Sequence, residues 1–138
     1  MTKKMLKYFD RATKMAMNSN MPTKMGCVIV YKGKIISESY NQFKTHPLQA
    51  EYDSERKDFE EGHPHAHSLH AESAALLKIK DLDLKWNKVD IYISRPLKSR
   101  PYGLAKPCKA CEKLIKDLGI EKIHYTSDNN SFITEEWM

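Results

Sequence analysis

His70-Ala71-Glu72, followed further along by Pro107-Cys108-Lys109-Ala110-Cys111, constrains this chain more than any other feature. A fold that serves both segments must bring them to one point. One imidazole and two thiols are donors that a tetrahedral zinc ion takes, and three protein donors leave its fourth position for water, as in catalytic zinc sites. His70, Cys108 and Cys111 are that set, and Glu72 stays outside it as a proton carrier. Zinc lowers the pKa of its water from about 16 to roughly 7, which puts a nucleophile at hand at neutral pH. Hydrolytic loss of an amine from an amidine-like ring carbon needs that nucleophile. It also needs a group that protonates first the ring nitrogen and then the departing amine, and one carboxylate serves both steps.

Local sequence suits these roles. Cys108 and Cys111, at i and i+3, fall on one face at the start of a helix expected over Cys111 to Leu118, with Pro107 as a tolerated starter and Gly119 as its stop. The positive end of that helix favours thiolate, the form that binds metal. His70 and Glu72 open a second helical stretch, Ala71 to Lys80, whose Ala74, Ala75, Leu76, Leu77 and Ile79 pack inward. The plainer reading is a structural zinc site closed by a fourth ligand from Cys27, His65 or His67. It leaves Glu72 without a task. Three cysteines, two of them spent on metal, argue against a secreted disulfide framework, and Cys27 reads as a small buried hydrophobe.

At 138 residues the chain is expected to form a single domain, 1–138. No apolar run approaches the roughly twenty residues of a membrane span. Met1 to Asn18, with Met5, Leu6, Phe9, Met15 and Met17 among lysines, reads as a first helix and not as a secretory leader, so a cytoplasmic location is expected. Met25 to Tyr31 and Lys34 to Tyr40 are β-rich runs joined by Lys32-Gly33, a hairpin signal. Periodicity is then lost over Asn41 to Leu69, which marks an insertion or lid at about 42–69. Further strands are expected at Val89 to Ser94, Ile120 to Thr126 and Phe132 to Trp137, the last after the turn-rich Ser127 to Ser131. Alternating His63, His65 and His67 would project to one side of an extended strand and share a second ion, or form an exposed loop.

The sum is an α/β domain, a three-layer α/β/α sandwich with a central mixed sheet. The His-x-Glu and Pro-Cys-x-x-Cys pair is the known signature of zinc nucleobase deaminases. With the Gly26 to Tyr40 hairpin in the same order, the chain resembles the cytidine deaminase-like superfamily over nearly its whole length. Within it, the nearest match is the cytidine and deoxycytidylate deaminase family of bacteria and phages. That resemblance implies a zinc cofactor, a homo-oligomer, and substrate contacts from Asn41, just after the second strand, and from the backbone amide of Ala71. An asparagine that ends a strand by bonding backbone is the alternative for Asn41.

Two departures bear on substrate. Arg95 to Lys106 intervenes between the third strand and Pro107, where many relatives run on almost directly. Its cations either meet a phosphate, which favours a nucleotide, or lie in a solvated loop. The sequence also ends at Met138, where nucleic-acid-editing relatives carry a further helix, and a closing antiparallel hairpin is expected instead, as in the free-nucleoside branch. The net charge of +5 and the lysines of the first helix pull gently toward phosphate-bearing partners. Trp86, Trp137 and Tyr102 either stack a base or pack in the core. The reading is zinc-dependent hydrolytic deamination of a nucleobase, cytosine to uracil in a free nucleoside or nucleotide. Deamination within single-stranded DNA or RNA comes second, and a zinc-stapled binding module third.

Overall fold

The computed structural model describes residues 1–42 and 69–137. The insertion or lid expected at about 42–69 lies outside these residues, apart from Gln42 and Leu69, which pair in an antiparallel bridge. The run His63, His65 and His67 lies outside them altogether.

Helix α1 (Lys3–Ala16) begins at Thr2, whose hydroxyl accepts a hydrogen bond from the Met5 amide at 3.1 Å. Its buried face is Tyr8, Phe9, Ala12 and Ala16. Leu6 and Met17 are exposed. α1 lies so near β1 (Gly26–Tyr31) that a Cβ on Gly26 would sit 1.9 Å from the Ala12 carbonyl oxygen. Only alanine-sized residues fit that seam. β1 turns into β2 (Lys34–Tyr40) through Lys32 and Gly33, both at positive φ (51° and 77°), which matches the twist of a two-residue hairpin. The Tyr8 hydroxyl donates to the Gly33 carbonyl at 3.0 Å and ties α1 to that tip.

Helix α2 (Ala71–Leu77), β3 (Val89–Ser94), helix α3 (Lys109–Leu118), β4 (Lys122–Thr126) and β5 (Phe132–Glu136) follow, with a short 3₁₀ turn at Trp86–Lys88 before β3. The sheet order is β2-β1-β3-β4-β5, with β3 and β4 parallel and the other pairs antiparallel. Alternation along β1 separates two packing layers. Val28 and Val30 meet α1 with Tyr92, while Cys27 and Ile29 join Ala75, Leu76, Leu114 and Ile115 of α2 and α3 on the opposite face. The three-layer mixed sandwich is therefore as the sequence predicts, and β4 and β5 form the expected closing hairpin.

Several boundaries shift: α1 is shorter at both ends than Met1 to Asn18, β1 starts at Gly26 and not Met25, and β4 starts at Lys122 and not Ile120. α2 ends at Leu77 and not Lys80, α3 starts at Lys109, and Trp137 leaves the last strand while its amide donates to the Glu121 carbonyl at 2.6 Å. Gly119 ends α3 in the left-handed region, φ 99°, as a C-terminal glycine does. Among the described residues no helix is long and apolar enough to cross a membrane.

Gly26→Ala tests the α1–β1 seam. The added methyl meets backbone and not a yielding side chain, so a loss of about 1–3 kcal/mol is expected, read as a lower urea midpoint at unchanged slope. An unaltered midpoint would mean that α1 does not lie this close to the sheet.

Candidate active site

Both half-motifs sit at helix starts. His70 is the N-cap of α2, in extended backbone at φ −73° and ψ 153°, and Cys108 is the N-cap of α3 at φ −68° and ψ 169°. Glu72 and Cys111 therefore fall in the first turns of their helices. The bridge between Gln42 and Leu69, with amide to carbonyl distances of 2.9 and 2.8 Å, fixes the approach to His70. The β3–α3–β4 crossover carries Cys108 to the same end of the sheet.

There His70 Nδ1 lies 3.1 Å from Cys111 Sγ and 3.5 Å from Cys108 Sγ. The three ligand atoms lie within 4.8 Å of one another. Tetrahedral zinc, with bonds of about 2.0–2.3 Å, holds its donors roughly 3.5–3.8 Å apart, so the His70–Cys108 pair stands at that spacing and the His70–Cys111 pair would need to open by only a few tenths of an ångström. Cys27 stands outside the cluster, and His65 and His67 outside the described residues. Among the described residues, three side chains and not four meet here.

The electrostatics are those of a shared proton. The Cys111 thiol donates to Cys108, so the Cys108 thiol is held well below its ordinary range, with His70 assisting, while Cys111 is pushed up by that bond and by burial. Ser73 Oγ lies 3.5 Å from Cys111 Sγ. Glu72 is only 2 % exposed, and burial raises its carboxyl above the usual range while the neighbouring imidazole opposes that rise.

A cavity of about 230 Å³ opens onto this cluster. It is lined by His70, Ala71, Glu72 and Cys108, by Met21, Thr23 and Met25 from the α1–β1 loop, and by Asn41 and Lys106. Ligand pockets commonly start near 300 Å³, so this one suits a small ring. Ala71 is the first residue of α2, where an amide has no acceptor within the helix. Asn41 does more than end a strand. Its Oδ1 accepts from the Met25 amide at 2.9 Å, its Nδ2 donates to the Thr23 carbonyl at 2.6 Å, and it thereby pins the opposite wall of the cavity.

Thr23 carries no signal in the sequence, while Met25 reads only as the start of a strand and Lys106 only as the end of the cationic loop. Lys106 had a usable signal, since it immediately precedes the cysteine motif, and its ammonium lies 3.5 Å from Glu135 on β5. Trp86, Trp137 and Tyr102 do not line the cavity. The two tryptophans pack against the core, and Tyr102 lies against Phe132 with centroids 5.2 Å apart.

The family model described as the cytidine and deoxycytidylate deaminase zinc-binding region matches residues 2–127, and the chain belongs to that family. Zinc is accordingly its cofactor. Among solved structures, it is similar to the dCMP deaminase of the cyanophage S-TIM5 in apo form, with 21 % identity, a TM-score of 0.62, and 94 % of this chain and 88 % of that one covered. The same phage enzyme in complex with dCMP and dUMP gives 22 % identity, a TM-score of 0.62, and coverages of 93 % and 85 %. The cytidine deaminase of Burkholderia pseudomallei gives 16 % identity, a TM-score of 0.65, and coverages of 99 % and 93 %. At these identities the likeness is one of fold. No curated protein matches the chain by sequence.

Metal analysis of the purified chain is expected to find one zinc per chain, lost in Cys108→Ala and Cys111→Ala and kept in Glu72→Ala. Two zincs per chain would instead place an ion at His63, His65 and His67.

Proposed function

We propose that this chain is a zinc-dependent hydrolytic deaminase that converts cytosine to uracil in a free nucleoside or nucleotide and releases ammonia. In this reading His70, Cys108 and Cys111 hold the ion, and zinc supplies the Lewis acid that makes water nucleophilic at neutral pH. Glu72 takes the proton that water loses and passes it to ring N3 as oxygen joins C4. It then moves the proton of the new C4 hydroxyl to the exocyclic amine, which leaves as ammonia. Ala71, through its amide, and Asn41, on the opposite wall, contact the substrate. The raised Glu72 pKa suits a group that must give its proton back.

The observation that carries this reading is Glu72 itself: a carboxyl almost wholly buried, beside three metal donors, on the wall of a cavity sized for one ring. A zinc staple gives no reason to bury it, since a buried carboxylate is costly without a task or a partner. Membership of the deaminase family supports the same chemistry. The three free thiols support a reducing, cytoplasmic setting for one catalytic domain spanning 1–138.

The test is ammonia release by the zinc-loaded chain on cytidine, deoxycytidine, their monophosphates, adenosine, guanine and short single-stranded DNA and RNA. Turnover of a free cytosine compound is expected, and Glu72→Ala should lower it by a factor of about 10² to 10⁴ with zinc retained. Full activity in that variant removes Glu72 from the mechanism. Turnover of oligonucleotides alone would move the substrate to nucleic acid, and silence across the panel would leave the metal as a staple.

A further inference from the structure

We infer that a second cavity, beside the first, is a phosphate subsite built by the loop between β3 and α3, and that the substrate is a nucleotide and not a nucleoside. The inference rests on the deaminase reading above. The second cavity, of about 310 Å³, is lined by Lys24, Arg95 and Lys98 with Pro22, Leu97 and Thr23, and Thr23 also lines the first. The two cavities share a wall. Among the described residues no carboxylate lines the second one, so its three cations face no acid across it.

Arg95 carries the argument furthest. Its Nε is buried and has no hydrogen-bond acceptor among the described residues, whereas its Nη1 reaches the Leu104 carbonyl at 3.4 Å. Nε–H and an Nη N–H form one edge of the guanidinium fork, and that edge pairs with two phosphate oxygens at once. A buried donor without an acceptor is costly, and a phosphate supplies the acceptor. Lys24 donates to the Ser19 carbonyl and, with three N–H donors on its ammonium, has others left.

The loop holds Arg95 in place before any ligand arrives. The Arg95 amide donates to Thr126 Oγ1 at 3.1 Å, and its carbonyl accepts from the Gly103 amide at 2.8 Å. Pro96 and Tyr102 bridge across the loop, and Arg100 is paired with Asp128 at 3.2 Å, away from the cavity lining. A Cβ on Gly103 would come within 3.1 Å of Leu97 and 3.3 Å of Arg95, so glycine leaves room for the guanidinium stem. A solvated loop has no reason to fix its first cation so closely or to bury part of it.

The experiment is calorimetric titration of the full zinc-loaded chain, in a Glu72→Gln background that prevents turnover. The ligands are deoxycytidine, dCMP, a short single-stranded oligodeoxycytidine and inorganic phosphate as a base-independent probe. dCMP is expected to bind at least tenfold more tightly than deoxycytidine at low salt. Arg95→Gln should bring that ratio close to one, and Lys98→Gln should lower it several-fold. Should Arg95→Gln fail to fold, Lys98→Gln and Lys24→Gln decide. Equal affinities for dCMP and deoxycytidine, or a ratio indifferent to all three variants, would overturn the subsite. An Arg95-dependent gain for the oligonucleotide alone would overturn the mononucleotide assignment. Inorganic phosphate that binds through Arg95, in a chain that with Glu72 intact turns over no cytosine compound, would sink the deaminase reading and leave the subsite standing.

Discussion

The convergence of two helix starts on one point is the constraint that organises this molecule. An imidazole and two sulfurs can share an ion only if the N-cap of α2 and the first turn of α3 lie within a few ångströms, and the three donors lie within 4.8 Å. That requirement fixes a good deal else. α2 and α3 must lie on the same face of the sheet, and their apolar sides do form one cluster with Cys27 and Ile29 of β1 and Ile91 and Ile93 of β3. β3 and β4 must run parallel, because α3 connects them by a crossover that returns the chain to the same edge. The site then falls where parallel strands end and helices begin, the usual place for ligands in such sheets.

Electrostatics add a second requirement to the geometry. Cys111 and Glu72 are almost wholly buried, and three acidic groups, two thiols and a carboxyl, crowd one small volume. Each helix start favours the negative form while burial opposes it. Cys111 is pushed up by its bond to Cys108 and by burial, and Glu72 by burial. A doubly charged ion balances two thiolates outright, which is the physical content of the match between this donor set and zinc. Glu72 is left out of that balance, which is what the proposed proton-carrying role requires of it.

Much of this was legible in the chain because the signals are local. His70, Glu72, Cys108 and Cys111 are fixed by spacing, Lys32-Gly33 by turn chemistry, and Gly119 by its place after an apolar helix face. What escaped depends on contacts between distant segments. The first helix is legible from its apolar residues, yet the close approach to Gly26 is made by Ala12 and Ala16, and no pattern within α1 announces that. Asn41 reads as a substrate contact, or else as a strand end that bonds backbone, and its side-chain amide bonds the backbone of Thr23 and Met25 in a distant loop. Thr23 and Lys106 sit in loops, where periodicity carries no information about which wall they form.

The division between helix starts and loops has a consequence for specificity. His70, Glu72, Cys108 and Cys111 sit at two helix starts packed on the central sheet. The wall facing them is a loop, Met21 to Met25, and its position depends on Asn41 and on the seam between α1 and β1. The loop after β3 lies against Thr126 and abuts that same wall at Thr23. In the proposed reading, changes in either loop would alter which ring or phosphate is accepted, and among the described residues the bonds that tie Asn41 to Thr23 and Met25 and Arg95 to Thr126 and Gly103 do not pass through α2. With the metal donors on two helix starts and two separately anchored loops as walls, the proposed chemistry requires the helix starts, and recognition is left to the loops.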